Sequence, residues 1–481
     1  MEPELPIEDH PRRKRRVTFS MSTIEADLKK KTYIEGKELR NTAIISVSFM
    51  VVFTAHIALQ NLQSSLHEEG QLGIIALSCL YGSIIFSGIL APTFIGAIGA
   101  KGCIIASWIG HLIYTSANFY PTWGTLIPAS ILLGIFFGPL WTSQSLYISA
   151  CAYSYSGSTD ESPYSVLSRL NGLFFMMYET TQITGNLISS LVLQHSTYNM
   201  SDENITKYCG PHDCPGHINS TNIEEPDEDL FHLLLGIFLS LEMIGLFITI
   251  VFLSSLPKSD WTLSKSVKES LASCFVTLVK SEILFLVPFI MFQAMEQAIL
   301  LGDFTKSYIS CPLGIHMVGF VMACYGAATA VFAFVFSRLA KYTGRYLLFL
   351  MAFCTNMSLL IFLYFWTPSS ENPVLIFAIP TIWGISESIW QTQSSSLIAL
   401  LFSDKKEPAF ANYHTWKAVG FTLTFIYGSF LCVSVKLLIA ASLLGIGMVL
   451  YVYVEVRIYF KEKAALRGPP SRDNATVQET T

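Results

Sequence analysis

Twelve apolar runs, broken by short polar or charged stretches, account for most of this chain. They fall at roughly 43–62, 72–95, 103–118, 126–148, 166–193 and 231–253, and then at 283–301, 315–336, 346–366, 374–402, 410–432 and 437–456. A helix needs about 20 apolar residues to cross the hydrocarbon of a bilayer. The pattern therefore predicts an all-α polytopic membrane protein of about twelve transmembrane helices. It divides into a tail (1–42), a first six-span half (43–256), a link (257–280), a second six-span half (281–457) and a second tail (458–481).

An internal repeat supports the division. The fourth run carries Pro128, Gly138 and then Trp141-Thr-Ser-Gln144-Ser145; the tenth carries Pro380, Gly384 and then Trp390-Gln-Thr-Gln393-Ser394. Three residues before the Trp, the first copy has Gly138 and the second has Glu387. A weaker echo links Leu72-Gly-Ile and Tyr81-Gly82 to Leu313-Gly-Ile and Tyr325-Gly326. Repeats of this kind predict two pseudo-symmetric halves around a central cavity, a major facilitator-like architecture.

Composition agrees. Of 481 residues 52% are hydrophobic and 14% charged, with mean hydropathy +0.48, which excludes an ordinary set of soluble domains. Some forty hydrophilic residues precede the first run, so that run is expected to act as a retained signal anchor. The net charge of −5 matters less than its distribution. With both termini in the cytosol, 27 of the 30 basic residues fall in cytosolic segments or adjoining span ends, leaving Lys207, Lys306 and Lys436 outside.

The outside loop 194–229 holds three sequons, at Asn199, Asn204 and Asn219, expected to be glycosylated. Those at Asn356, within a span, and Asn474, in the cytosolic tail, are expected to stay unused. The same loop contains Cys209-Gly-Pro-His-Asp-Cys214, which predicts a short Cys209–Cys214 disulfide on the oxidising side. Zinc held by Cys209, His212, Cys214 and His217 is the alternative, and the other eight cysteines are expected to be reduced. In the N-terminal tail, Arg12 to Arg16 read as a topogenic cluster. Thr18 beside them is a phosphorylation candidate whose charge would weaken attachment to anionic lipid.

Carboxylates inside a membrane face protein or water. Four are embedded here: Glu179, Glu242, Glu296 and Glu387. With the first, fourth, seventh and tenth runs as cavity walls, the candidates are His56, Gln60, Gln144, Glu296, Gln297, Glu387 and Gln391. Glu387 or Glu296 would be the coupling group, and Glu179 and Glu242 are assigned to structural pairing. Trp141, Ser145, Trp390, Gln393 and Ser394 of the repeat read as packing residues or interhelical hydrogen bonds as readily as ligand contacts. Nucleotide-loop, dinucleotide-turn, His-Glu-x-x-His and Gly-x-Ser-x-Gly motifs are absent, so no catalytic residue, cofactor or nucleic-acid partner is expected.

Longer stretches carry a family pattern. Leu-Gln-Asn-Leu-Gln-Ser-Ser-Leu at 59–66 with Glu68-Glu69-Gly70, Thr-Leu-Ile-Pro-Ala-Ser-Ile-Leu-Leu-Gly at 125–134 with Pro139-Leu-Trp141, Trp390-Gln-Thr-Gln393, Ala409-Phe-Ala-Asn-Tyr413 and Tyr342-Thr-Gly-Arg345 resemble the uncoordinated-93 (Unc-93) family. The resemblance is greatest to its A-type branch and covers nearly everything beyond about Lys37. It implies a major facilitator-like fold and a transporter-derived subunit that regulates other membrane proteins, most concretely a potassium channel. A secondary transporter of a small solute or ion is the alternative, and an escort of receptors to endosomes a further one. The expected address is the plasma membrane, with the endosomal membrane as alternative. One departure bears on the choice. Where transporters of this fold carry a charged gating loop, this chain has Gly96 and Ala97 in the acidic and basic places, and the loop at 337–345 has Lys341 for the acid.

Overall fold

The structure is a computed structural model; it describes residues 36–66, 72–159, 161–193, 209–214, 228–256, 267–313, 317–369, 373–402, 405–428 and 430–467. Arg12 to Arg16, Thr18, Asn199, Asn204, Asn219 and His217 lie outside these residues. The helices are α1 (Glu38–Leu66), α2 (Leu72–Ala117), α3 (Trp123–Ser158), α4 (Pro163–Leu193), α5 (Glu228–Phe252) and α6 (Val267–Leu278). They continue with α7 (Ser281–Ala298), α8 (Val318–Thr343), α9 (Arg345–Phe365), α10 (Pro373–Leu401), α11 (Lys406–Gly428) and α12 (Val433–Arg467). No strand occurs among the described residues. In hydrocarbon every backbone polar group must be satisfied within its own segment, so runs of this composition become helices. Their hydroxyls are satisfied the same way: Thr42, Ser46, Thr142, Thr329 and Thr392 each donate to the carbonyl four residues back.

Nine of the described helices are long and apolar enough to cross a bilayer. One of these, α2, contains both the second and third runs and bends at Gly99, so it crosses twice. The helices α4 and α11 complete the twelve crossings; they fall short on apolarity because their interiors are polar, with Glu179, Gln182 and Asn186 on one and His414 and Lys417 on the other.

Two differences from the hydropathy pattern have local causes. The seventh run does not end at Gly302-Asp303: α7 continues through a π-helical stretch, Ile299–Ser310, and a short turn, Cys311–Leu313. The partly buried Asp303 is tolerated there because Lys436 of α12 donates to it at 2.6 Å, and to the Gly428 carbonyl at 2.9 Å. The bends at Gly99 (φ 77°, ψ 163°) and Gly344 (φ 74°, ψ 165°) have nearly the same backbone geometry at corresponding places of the two halves. Just beyond each, a basic side chain reaches the last helix of its own half. Lys101 donates to the Ile250 and Leu253 carbonyls at the end of α5 (2.9 and 2.7 Å), and Arg345 pairs with Glu455 of α12 at 2.6 and 2.9 Å.

The disulfide expectation is corrected. Cys209 is bonded to Cys311 and Cys214 to Cys432, so the loop is not closed on itself and two of the eight cysteines expected to be reduced are oxidised. The four-ligand zinc alternative falls with it, since both thiolates are consumed. Segment 209–214 is folded against the second half: Val433 donates to the Asp213 carbonyl at 3.0 Å, and Ser307 donates to the Asp213 carboxylate at 2.6 Å. Gly210, at φ 71°, sits where an added Cβ would lie 2.7 Å from the Pro368 ring. A cysteine five residues from another is sterically free to choose a distant partner once its loop docks elsewhere.

Candidate functional site

The first and second halves meet along two seams, α4 on α8 and α2 on α11. Small residues allow the close approach. A Cβ at Gly326 of α8 would stand 2.6 Å from the Gln182 Cβ of α4, and Tyr81 of α2 stacks on Phe421 and Phe425 of α11, with centroids 4.7 and 5.5 Å apart. Between the seams lies a cavity of about 130 Å³.

Its walls come from both halves and from more helices than the four expected. Phe53, His56 and Gln60 of α1, Phe137 and Trp141 of α3 and Tyr178, Glu179 and Gln182 of α4 form one side. Gln297 of α7, Tyr325 of α8, Gln391 of α10 and His414 and Lys417 of α11 form the other. Trp141 is packed within an aromatic group that includes Phe49, Phe53, Phe137 and Tyr178.

The polar centre is a chain of hydrogen bonds that crosses between halves. The Gln391 amide nitrogen donates at 2.8 Å to Glu179 of the first half and at 2.8 Å to Glu387 of its own. Gln297 donates to Glu387 from behind, and Glu296, one residue earlier, accepts from the Trp383 indole. Glu387 and Glu296 thus stand just outside the wall, whereas Glu179 lines it. One oxygen each of Glu179, Glu296 and Glu387, the Gln391 carbonyl oxygen and His56 Nδ1 are buried without a partner.

A layer of inter-half contacts closes the cavity toward the face that carries the starts of α1 and α9 and the end of α12. Ser145 Oγ meets His414 Nε2 at 3.0 Å. The Tyr164 hydroxyl donates to Gln393 at 3.0 Å, and the Gln393 amide donates to Ser168 at 3.2 Å. Asn171 donates to Ser396 at 3.3 Å and Tyr153 to the Ala399 carbonyl at 3.2 Å. Both copies of the repeat therefore reach across: Ser145 from the first, Gln393 from the second. Trp141 and Gln391 cross as well, Trp141 stacking on His414 with centroids 6.1 Å apart and Gln391 donating to Glu179, whereas other repeat residues stay within their half. Trp390 is fully buried against Phe289 and Phe349, Ser394 accepts from Gln293 at 2.9 Å, and Gln144 accepts from Ser145 at 3.1 Å.

Three assignments change. Glu179, assigned to structural pairing, is a wall residue and the first half's end of the cross-half bridge. Lys417, counted with the cytosolic span ends, lies within the wall of the cavity. Gln144 is buried but does not line the cavity. Glu242 keeps its structural role, accepting from Thr115 at 2.7 Å. The signal for Lys417 was present in the sequence: it stands eight places into an apolar run, one turn beyond His414.

Two six-helix halves around a polar cavity define a major facilitator-type membrane protein. The fold is shared with the fucose:proton symporter FucP of E. coli (TM-score 0.60, 12% identity, covering 87% of this chain and 99% of that one). It is shared too with the human organic anion transporter MFSD10 (TM-score 0.62, 9% identity, covering 87% and 100%). Within that class the chain belongs to the UNC-93 family, described as "Ion channel regulatory protein UNC-93", whose profile matches residues 67–452. Protein unc-93 homolog A of Xenopus laevis is 37% identical over 439 residues, 89% of this chain and 95% of that protein. The Caenorhabditis elegans protein named "Putative potassium channel regulatory protein unc-93" is 30% identical over 438 residues, 88% of this chain and 61% of that one.

Proposed function

We propose that the chain is a transporter-derived regulatory subunit of other membrane proteins, with a potassium channel as its partner. The observation that carries this reading is where the two bend loops place their basic residues. Lys101 and Arg345 each bind the last helix of their own half, so neither supplies a charged latch between halves of the kind a rocking transport cycle uses. The names of the family and of the worm relative point the same way. The face bearing the chain ends is cytosolic on this reading, and segment 194–229 lies outside with glycans at Asn199, Asn204 and Asn219. Two disulfides on that side fit an oxidising compartment, and the plasma membrane is the proposed address. The test is purification from native membranes in mild detergent with quantitative mass spectrometry. A channel recovered near stoichiometry is the expected result, and a chain that comes out alone would overturn it.

The second reading, a secondary transporter, is favoured by the charged cavity between the halves. Proteoliposome flux under a pH gradient tests it, and flux unchanged by Glu387→Gln would remove that carboxylate from any coupling role.

A further inference from the structure

The cavity holds an acid and a base that do not meet. Glu179 presents from the first half and Lys417 from the second, and no ion pair within 4.0 Å joins them among the described residues. Lys417 is close enough for its charge to act on Glu387, Glu179 and Glu296. Yet among the described residues its ammonium meets only the Tyr413 ring, 5.9 Å from the centroid. An ammonium carries three donors and no acceptor, and leaving them unmet inside a membrane is costly. Across the cavity the surplus is of acceptors: the second oxygen of Glu179 has no donor, and neither has the carbonyl of Gln391, which reaches Glu179 from the second half. His56, 2% exposed and lining the same space, has an unpartnered Nδ1. The remaining surface is mostly aromatic and aliphatic, with Gln60, Gln182, Gln297 and Ser395 as its uncharged polar groups.

A neutral solute would leave both charges unanswered, and a simple ion would answer one. We propose that the cavity binds a small zwitterion, an amino-acid-sized molecule whose ammonium is taken by Glu179 and the Gln391 carbonyl and whose carboxylate is taken by Lys417. A volume of about 130 Å³ holds several waters' worth of ligand and falls below the 300–1,000 Å³ of drug-sized sites. Because Glu179 belongs to one half and Lys417 to the other, an occupied cavity ties the halves together. The inference is independent of the channel reading: a regulator would sense the molecule that a transporter would carry.

The experiment uses the purified full chain in lipid nanodiscs, with thermal stability read against glycine, β-alanine, 4-aminobutyrate and L-valine, which vary the separation of the charges. At least one is expected to raise the melting temperature saturably, while its N-acetyl and amide derivatives bind roughly tenfold more weakly or worse. Glu179→Gln and Lys417→Met are each expected to abolish the shift. The derivative comparison needs no variant, so it holds even if a variant fails to fold. No shift from any of the four would overturn the proposal. An amide derivative binding as well as its parent would remove Lys417 from it, and an N-acetyl derivative doing so would remove Glu179.

Discussion

Gln391 and Glu179 are joined by a 2.8 Å hydrogen bond across the interface between halves. A primary amide has two N–H groups, and the same nitrogen also serves Glu387. One neutral side chain thereby supplies a donor to two buried carboxyl groups on different helices. Gln391→Leu keeps much of the volume and leaves Glu179 without another protein donor among the described residues. Each buried polar group deprived of its partner costs about 1–3 kcal/mol. The variant is expected to melt at a clearly lower temperature in detergent. Melting equal to the parent would mean that the bridge contributes nothing.

The disulfides connect cysteines of the first half's outer loop to cysteines of the second half, 102 and 218 residues away. A single cut engineered between α5 and α6 should therefore leave one covalent species. On a non-reducing gel the cut chain is expected to run as a single band of full mass, and to separate into two fragments on reduction. A Cys209–Cys214 bond would instead give two fragments under both conditions.

Hydropathy made most of the architecture legible, because a bilayer leaves only helices as solutions for long apolar runs. The repeat was legible too, since Trp-x-x-Gln-Ser is rare enough to be noticed twice. Its meaning was not. Trp141 faces the cavity side and Trp390 packs within its own half, a difference set by neighbouring helices rather than by the motif. Glu179 lies on the fifth run, which is not among the four expected cavity walls, whereas glycines on α8 let α4 and α8 approach closely. The disulfide partners were hidden for a related reason: nearness in sequence suggested Cys214 for Cys209, while docking of the loop brought up Cys311. Asp303 ended the seventh run on paper only because Lys436, 133 residues later, could not be seen to neutralise it.

Gly99 and Gly344 share a backbone region, φ near 75° with ψ near 165°, that is essentially closed to residues with a Cβ. Nothing lies within 4 Å of the Cβ that either would gain, so the penalty of Gly99→Ala or Gly344→Ala is conformational alone. Each is expected to cost about 1–3 kcal/mol, and by similar amounts because the geometry is the same. Thermal melting of the two variants side by side checks this. A loss at one position only would break the correspondence between the halves.

Gly326 tests the seam on which the cavity depends. A Cβ there would lie 2.6 Å from the Gln182 Cβ and 3.1 Å from the Glu179 carbonyl oxygen. Neither obstacle is the free end of a flexible chain, so α4 must move, and it carries Glu179 and Gln182 into the cavity wall. Gly326→Ala is expected to lower the melting temperature despite the higher helix propensity of alanine, worth about 1 kcal/mol in its favour. Gly236 of α5 provides the contrast, because nothing lies within 4 Å of its added Cβ. There the same change should be neutral or stabilising. If both variants melt together, the close approach of α4 and α8 is not what holds the halves in register.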